Sequence, residues 1–468
     1  MHPVLQETID YIGERIPVAG GAVLSFRNGE TVERSFFGLK DREAGTPVTE
    51  DTLFQIASMS KSFCTVLISM LEDEGLLHWD DPVKKIWPEY HAYNEYVTEH
   101  MTLRDLACHR SGICSHNKQR FSMFDDECRD LYSASKRALD LAPCFDFRDK
   151  FAYQNEMYTI LGYLAERVTG KTYEELLREK IGAPLGIELQ FRNYRDEKET
   201  RYAVGYDTVG NELKRVDPKT CAPVTNCPGG IVTNMKGVEK WIKFLANQCT
   251  APDGNKLLSK EGYLNLIRPN IFWCDTAWPD RSRQYALGLA PSVYRGERLC
   301  YHDGVLFGYR SAMGFFRDLN SGYAVMINSG SQPYSLLKDI LLDIALDRVE
   351  PDYHKEADRR IKLFLTKPDY EAKCLPKAEV SAEDLSKYDF NGLYENPAYG
   401  DMTFEYVGEN RLKLSYYRDA NEFLLYRGNG VFQKASDPVT DVRFKEDKKA
   451  VIFSKGQFYS PNLFTRKG

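Results

Sequence analysis

Near residue 385 the hydrophobic period of this chain changes, and no single sheet or bundle satisfies both sides of the change. Beyond it, Met402-Phe404-Tyr406, Leu412-Leu414, Val442-Phe444 and Val451-Phe453 alternate apolar with polar residues. Gly400, Gly408, Asn429-Gly430 and Asp437-Pro438 punctuate that stretch as turns. The pattern predicts a small antiparallel β-barrel over 385–468. Before the change, periods are mixed. From Ser60 to Leu77 the apolar residues Phe63, Val66, Leu67, Met70, Leu71 and Leu77 recur at three and four, the period of a helix buried along one side. By contrast Gly21–Phe26 and Thr31–Gly38 are strand-like and joined through Asn28-Gly29, a pair suited to the positive φ angles of a tight hairpin.

Further helices are expected at Met1–Pro17, Thr102–Cys108, Met157–Thr169, Tyr173–Lys180, Lys236–Gln248 and Ser335–Asp347, and strands at Tyr285–Leu289, Met313–Arg317 and Tyr323–Ser329. Helices between antiparallel strands make an α+β arrangement. At 468 residues the chain exceeds what one core usually organises, so we divide it into a large unit at 1–349, a linker at 350–384 marked by Pro351, Pro368 and Pro376 and showing little period, and the barrel.

Composition narrows the function. The 62 basic and 68 acidic side chains are well mixed and leave a net charge of −6, so no nucleic-acid footprint is visible. No apolar run of roughly 18 residues is present, and the first helix is interrupted by Glu7, Asp10, Glu14 and Arg15, unlike a signal peptide or membrane span. Eleven cysteines, an odd number with no Cys-x-x-Cys pair, favour reduced thiols and a cytoplasmic location. The partner expected is a small molecule or peptide. His109 and His116, with Cys108 and Cys114 nearby, are better explained as packing residues than as metal ligands, and no metal or cofactor is expected.

Ser58 and Lys61 lie three residues apart at the head of the buried helix, hence on one face. A serine hydroxyl becomes a nucleophile when a neighbouring base takes its proton, and a lysine serves once burial or nearby positive charge lowers its pKa. Spacing alone decides little, because Ser115/Lys118, Ser133/Lys136 and Ser335/Lys338 repeat it, and Tyr263-x-Asn265 and Tyr394-x-Asn396 repeat the spacing of Tyr153-Gln154-Asn155. What separates Ser58 is order: it opens a long helix and is followed by Tyr153-Gln154-Asn155 before a second helix, then by His302-Asp303-Gly304 before a strand.

With those motifs the sequence resembles the serine β-lactamase and penicillin-binding-protein superfamily, in its branch of class C β-lactamases, esterases and D-amino-acid peptidases. Thr102–Gly112 (TLRDLACHRSG), Ala183–Gly186, Gly205-Tyr206, Pro228–Ile231 and Tyr285–Leu289 look like further landmarks of that branch, in the right order over residues 5–348. The resemblance implies an antiparallel sheet flanked by helices plus an all-helical lobe. It makes Ser58 the acylated nucleophile, Lys61 its base and Tyr153 the proton shuttle. Asn155 would orient Lys61 and a substrate amide, and the backbone N–H groups of Ser58 and Val305 would form the oxyanion hole. His302, Asp303 and Gly304 would line the substrate side. His302 stands where many relatives have lysine, which turns expectation from β-lactamases toward esterase and peptidase members. Gln154 and Arg148-Asp149 also depart from the family pattern. The tail, through Tyr388-x-x-Asn391-Gly-x-Tyr394, is similar to the lipocalin-like domain behind some members, which could border the active site or support a homo-oligomer. The implied activity is hydrolysis of an amide or ester, on a small peptide that can carry D-residues. The alternatives are acyl transfer or peptide cyclisation through the same acyl-enzyme, and a non-catalytic binding protein on this scaffold.

Overall fold

The computed structural model describes residues 1–467 except 114–129, 192–198, 210–211, 217–225, 276–281, 331–333, 367–375, 397–399, 416–421, 435–436, 447–449 and 456–461. At its centre is a seven-stranded antiparallel sheet of β1 (Gly20–Arg27), β2 (Glu30–Asp41), β3 (Thr46–Pro47), β4 (Ala290–Tyr294), β5 (Glu297–Leu306), β6 (Tyr309–Phe316) and β7 (Ser321–Ile327). The spatial order is β4-β5-β6-β7-β1-β2-β3, so the first strand lies beside the last, with Gly21 opposite Ile327. The hairpin between β1 and β2 turns on Asn28 and Gly29, at φ 50° and 85°.

Alternation along these strands feeds two cores. On one face Ala22, Leu24, Phe26, Met313, Phe315, Ala324 and Met326 join the side chains of helices α2 (Ser60–Asp73), α3 (Glu156–Thr169) and α4 (Met235–Ala246). On the other, Val23, Ala312, Val325 and Ile327 meet α1 (Pro3–Gly13), α5 (Tyr334–Leu346) and α6 (His354–Leu365). A sheet buried on both faces fixes its register twice over, because a one-residue slip would exchange the two apolar sets.

Three local expectations need correction. Tyr285–Leu289 is not one strand: a short strand ends at Tyr285, the chain bends, and β4 starts at Ala290. Gly288 makes the bend at φ 70°, where an added Cβ would sit 2.8 Å from the Lys61 carbonyl oxygen, so the stretch is shaped by contact with α2. The stretch from 350 to 384 contains α6 and a short helix at Ala382–Lys387. Only Ala357 and Ile361 of α6 are buried, too few to give a readable period, and Arg360 ties the helix down through Asp339. Asp437-Pro438 begins a strand, Asp437–Phe444, rather than a turn.

In the tail, eight strands from Gly392–Asn396 to Asn462–Arg466 pair in sequence order, and the first closes on the last, with Tyr394 opposite Arg466. Phe390, Tyr394, Phe404, Tyr426, Phe432 and Phe444 pack inside it with ring centroids about 5–6 Å apart. No helix among the described residues is long and apolar enough to cross a membrane. Cys64, Cys108, Cys227, Cys249, Cys274 and Cys300 are free. Cys144 is in a disulfide, contrary to the expectation of reduced thiols throughout.

Candidate active site

The strand Phe54–Gln55 pairs with Ile231–Thr233 and then turns sharply. Ala57 makes the turn at φ 46°, a left-handed conformation that costs an L-residue roughly 1–2 kcal/mol. The next residue is Ser58, in the single turn Ala57–Met59 that leads directly into α2. The turn is anchored on two sides: Ser60 Oγ accepts from the Ile231 N–H at 3.2 Å, and Ser311 Oγ on β6 donates to the Ile56 carbonyl at 2.7 Å. Gly304 on β5 completes the seat, since a Cβ there would lie 2.5 Å from the Ile56 oxygen and 2.1 Å from Ser311 Oγ. The motif His302-Asp303-Gly304 is therefore inside a strand, not ahead of one, and its glycine lets β5 close against the Ser58 turn.

Lys61, the second residue of α2 and one turn past Ser58, is wholly buried. Its Nζ donates to Asn155 Oδ1 at 2.6 Å and to the Pro228 carbonyl at 2.8 Å, and lies 3.2 Å from Ser58 Oγ. An ammonium has three hydrogens, but a neutral amine has two hydrogens and one lone pair. In the neutral form the two shorter contacts take both hydrogens, and the lone pair points at the serine proton. Burial pushes the Lys61 pKa well below that of an ordinary lysine, which favours this form.

Tyr153 reaches Ser58 from the segment just ahead of α3. Burial raises its phenol pKa, and a hydrogen bond with Ser58 opposes the rise. The Lys61 Nζ stands 4.7 Å from its ring centre. Sequence reasoning gave His109 a packing role without seeing what it packs. Its carbonyl accepts from the Ala152 N–H at 2.8 Å and its Nδ1 from the Gln154 N–H at 3.0 Å, so it grips the backbone on either side of Tyr153, while its ring lies 4.3 Å from the tyrosine ring. Arg148, which departs from the family's usual turn, adopts φ 66° and forms an ion pair with the buried Asp105, at 2.7 Å from its Oδ2.

His302 is buried beside Tyr153. Its Nδ1 donates to the Asp303 carbonyl at 2.7 Å, so its Nε2 accepts from the Tyr285 hydroxyl at 2.9 Å. Burial lowers its pKa to about 4, and it is neutral near pH 7. Asp303 accepts from Lys338 at 2.6 Å, and Val305 is 57% exposed at the rim.

The competing spacings lead elsewhere. Ser335 accepts from Arg360 and Lys338 serves Asp303, while Ser133 is half-buried and forms a capping box with Asp130 at a helix start. Tyr394 belongs to the barrel, where its hydroxyl donates to the Asp389 carbonyl. Ser115, Lys118, Cys114 and His116 lie outside the described residues. Among the described residues no three His, Cys, Asp or Glu side chains converge as metal ligands.

A family model, Beta-lactamase, matches residues 5–346. The chain belongs to the beta-lactamase family. Within it, the chain is 26% identical over 407 residues to Unguisins hydrolase ungD' of Aspergillus campestris, covering 80% of this chain and 72% of that protein. It is 25% identical over 319 residues to Protein flp of Staphylococcus aureus, covering 67% of this chain and 60% of that one. The fold is shared with the octameric penicillin-binding protein homologue from Pyrococcus abyssi (TM-score 0.64, 22% identity, 98% of this chain and 99% of that one) and with SurE (TM-score 0.60, 21% identity, 99% and 98%). In both, the likeness spans nearly the whole beta-lactamase-family chain, including the barrel.

Proposed function

We propose that this protein is a serine hydrolase that cleaves an amide or ester through an acyl-Ser58 intermediate. The observation that carries the reading is the Lys61 amine, whose two short hydrogen bonds leave its lone pair to Ser58. Ser58 Oγ attacks the carbonyl as Lys61 takes its proton, and Tyr153 delivers a proton to the leaving group. Water then enters by the reverse route and releases the acyl group. Backbone N–H groups of Ser58 and Val305 would hold the oxyanion, with Asn155 orienting Lys61 and the substrate amide. His302, Asp303 and Gly304 would form the substrate-side wall.

We assign this chemistry to residues 1–349, with 385–468 as a lipocalin-like accessory unit that can support self-association. The substrate class we favour is a small peptide that can carry D-residues. The name of Unguisins hydrolase agrees with hydrolysis as the reaction. Acyl transfer or cyclisation through the same acyl-enzyme is the second reading. The decisive experiment treats wild type and Ser58→Ala with a fluorophosphonate and measures intact mass. One adduct on wild type and none on the variant is expected, and an adduct that survives in Ser58→Ala would overturn the assignment. Product analysis with and without an amine acceptor separates hydrolysis from transfer.

A further inference from the structure

Glu156 had no role in the sequence reading, yet it occupies an unusual position. It is the first residue of α3, directly after Asn155, whose amide oxygen holds the Lys61 Nζ at 2.6 Å. Its side chain is 7% exposed, and Oε2 has no hydrogen-bond donor. A carboxylate in that state is costly unless a positive charge is near. Helices α2 and α3 pack together, and so does the short helix Asn226–Gly229, which carries the Pro228 carbonyl. These three elements enclose the Lys61 amine.

The groups around Glu156 can be named element by element. From α2 comes Lys61, whose protonated form attracts the carboxylate, and next to Lys61 the Cys64 thiol, kept neutral by burial. The Asn226–Gly229 helix brings the Cys227 thiol, kept neutral by burial, and Asn226, whose Nδ2 is bonded to Glu174. From α3 itself come the backbone N–H groups of Asn155 and Glu156.

We propose that Glu156 is a positioning residue acting through Lys61: its buried carboxylate supplies the counter-charge that sets how readily the Lys61 amine takes and keeps the serine proton. This rests on the acyl-Ser58 reading above. The carboxylate opposes the effect of burial on Lys61, which would otherwise leave the amine too weak a base to hold the proton during acylation. Burial raises the Glu156 pKa to about 6, so the counter-charge is present near neutral pH and fades below it.

The test is the rate of fluorophosphonate labelling of the full chain as a function of pH, for wild type, Glu156→Gln and Glu156→Asp. Removing the charge lowers the Lys61 pKa, so in Glu156→Gln the acidic limb of the profile moves to lower pH by about one unit or more, and Glu156→Asp recovers part of the shift. A Gln profile that superimposes on wild type, with labelling intact, overturns the proposal. If Glu156→Gln does not fold, difference infrared spectra of wild type decide. A buried carboxyl C=O band that appears between pH 7 and 5, shifts in frequency in Glu156→Asp and has its titration moved by Lys61→Met supports it, and a band indifferent to Lys61→Met sinks it. Wild type that fails to label at any pH defeats the acyl-Ser58 reading instead.

Discussion

Two imidazoles stand in the wall around Tyr153, and both are held neutral. His109 accepts at Nδ1 from a backbone N–H, and burial drives its pKa well down. His302 has both ring nitrogens engaged and titrates at about 4. A histidine whose folded pKa lies below its unfolded value of roughly 6.5 contributes stability that is complete above the unfolded value and is lost as pH falls, because the unfolded chain then binds protons that the native one does not. For His302 the window runs from about 6.5 down to about 4 and amounts to about 3 kcal/mol. We expect the melting temperature of wild type to fall across that window more steeply than that of His302→Asn. Parallel curves in a pH series of thermal melts would refute the neutral assignment.

Ser58, Lys61, Tyr153 and Asn155 were legible in the sequence because each is marked by a helix start and by order along the chain. Tyr285 and Glu156 were not assigned roles, and His109 only a packing one, since their significance comes from which backbone groups and charges they meet across the fold. Nothing in the period around His109 indicates that its carbonyl and ring nitrogen grip residues 152 and 154.

At the scale of elements, the site is a junction between the Ala57–Met59 turn and β5, and Gly304 sets their separation. Gly304→Ala places a methyl group within 2.1 Å of Ser311 Oγ and 2.5 Å of the Ile56 oxygen. The strand must move away from Ser58. We expect a stability loss of about 1–3 kcal/mol and a fall in Ser58 labelling rate of about 10²-fold, both measured on the purified variant. Labelling at the wild-type rate would show that β5 does not help shape the nucleophile's surroundings. The helices α2 to α5 were foreseen within a few residues because each buries a broad apolar face. The helix α6 was not, because its apolar face is only Ala357, Ile361 and the partly buried Phe364, too narrow to read among charged residues, and an ion pair from Arg360 to Asp339 adds to it.

Across the whole molecule, the barrel closes its own hydrogen bonds by pairing its first strand with its last, while the seven-stranded sheet stays open with β4 and β3 at its edges. Among the described residues the barrel's interior is packed with aromatic rings, Phe390 among them at 1% exposure. Phe390→Ala should cost about 3–5 kcal/mol and lower a melting transition of the barrel, leaving Ser58 labelling unchanged. A matching collapse of labelling would mean that the two units stand or fall together. The barrel was visible in sequence as alternation, while its closure, which depends on Tyr394 and Glu395 meeting the final strand, was not.

The partnership of Gly21 with Ile327 has a further consequence for biosynthesis. The hairpin that emerges first from the ribosome has to wait for some three hundred more residues before its open edge is covered, which at about 5–20 residues per second is a delay of about 15–60 s. During that interval β1 offers unpaired backbone and an apolar face to any passing chain. The nascent protein is thus most open to aggregation in the interval before β7 is made.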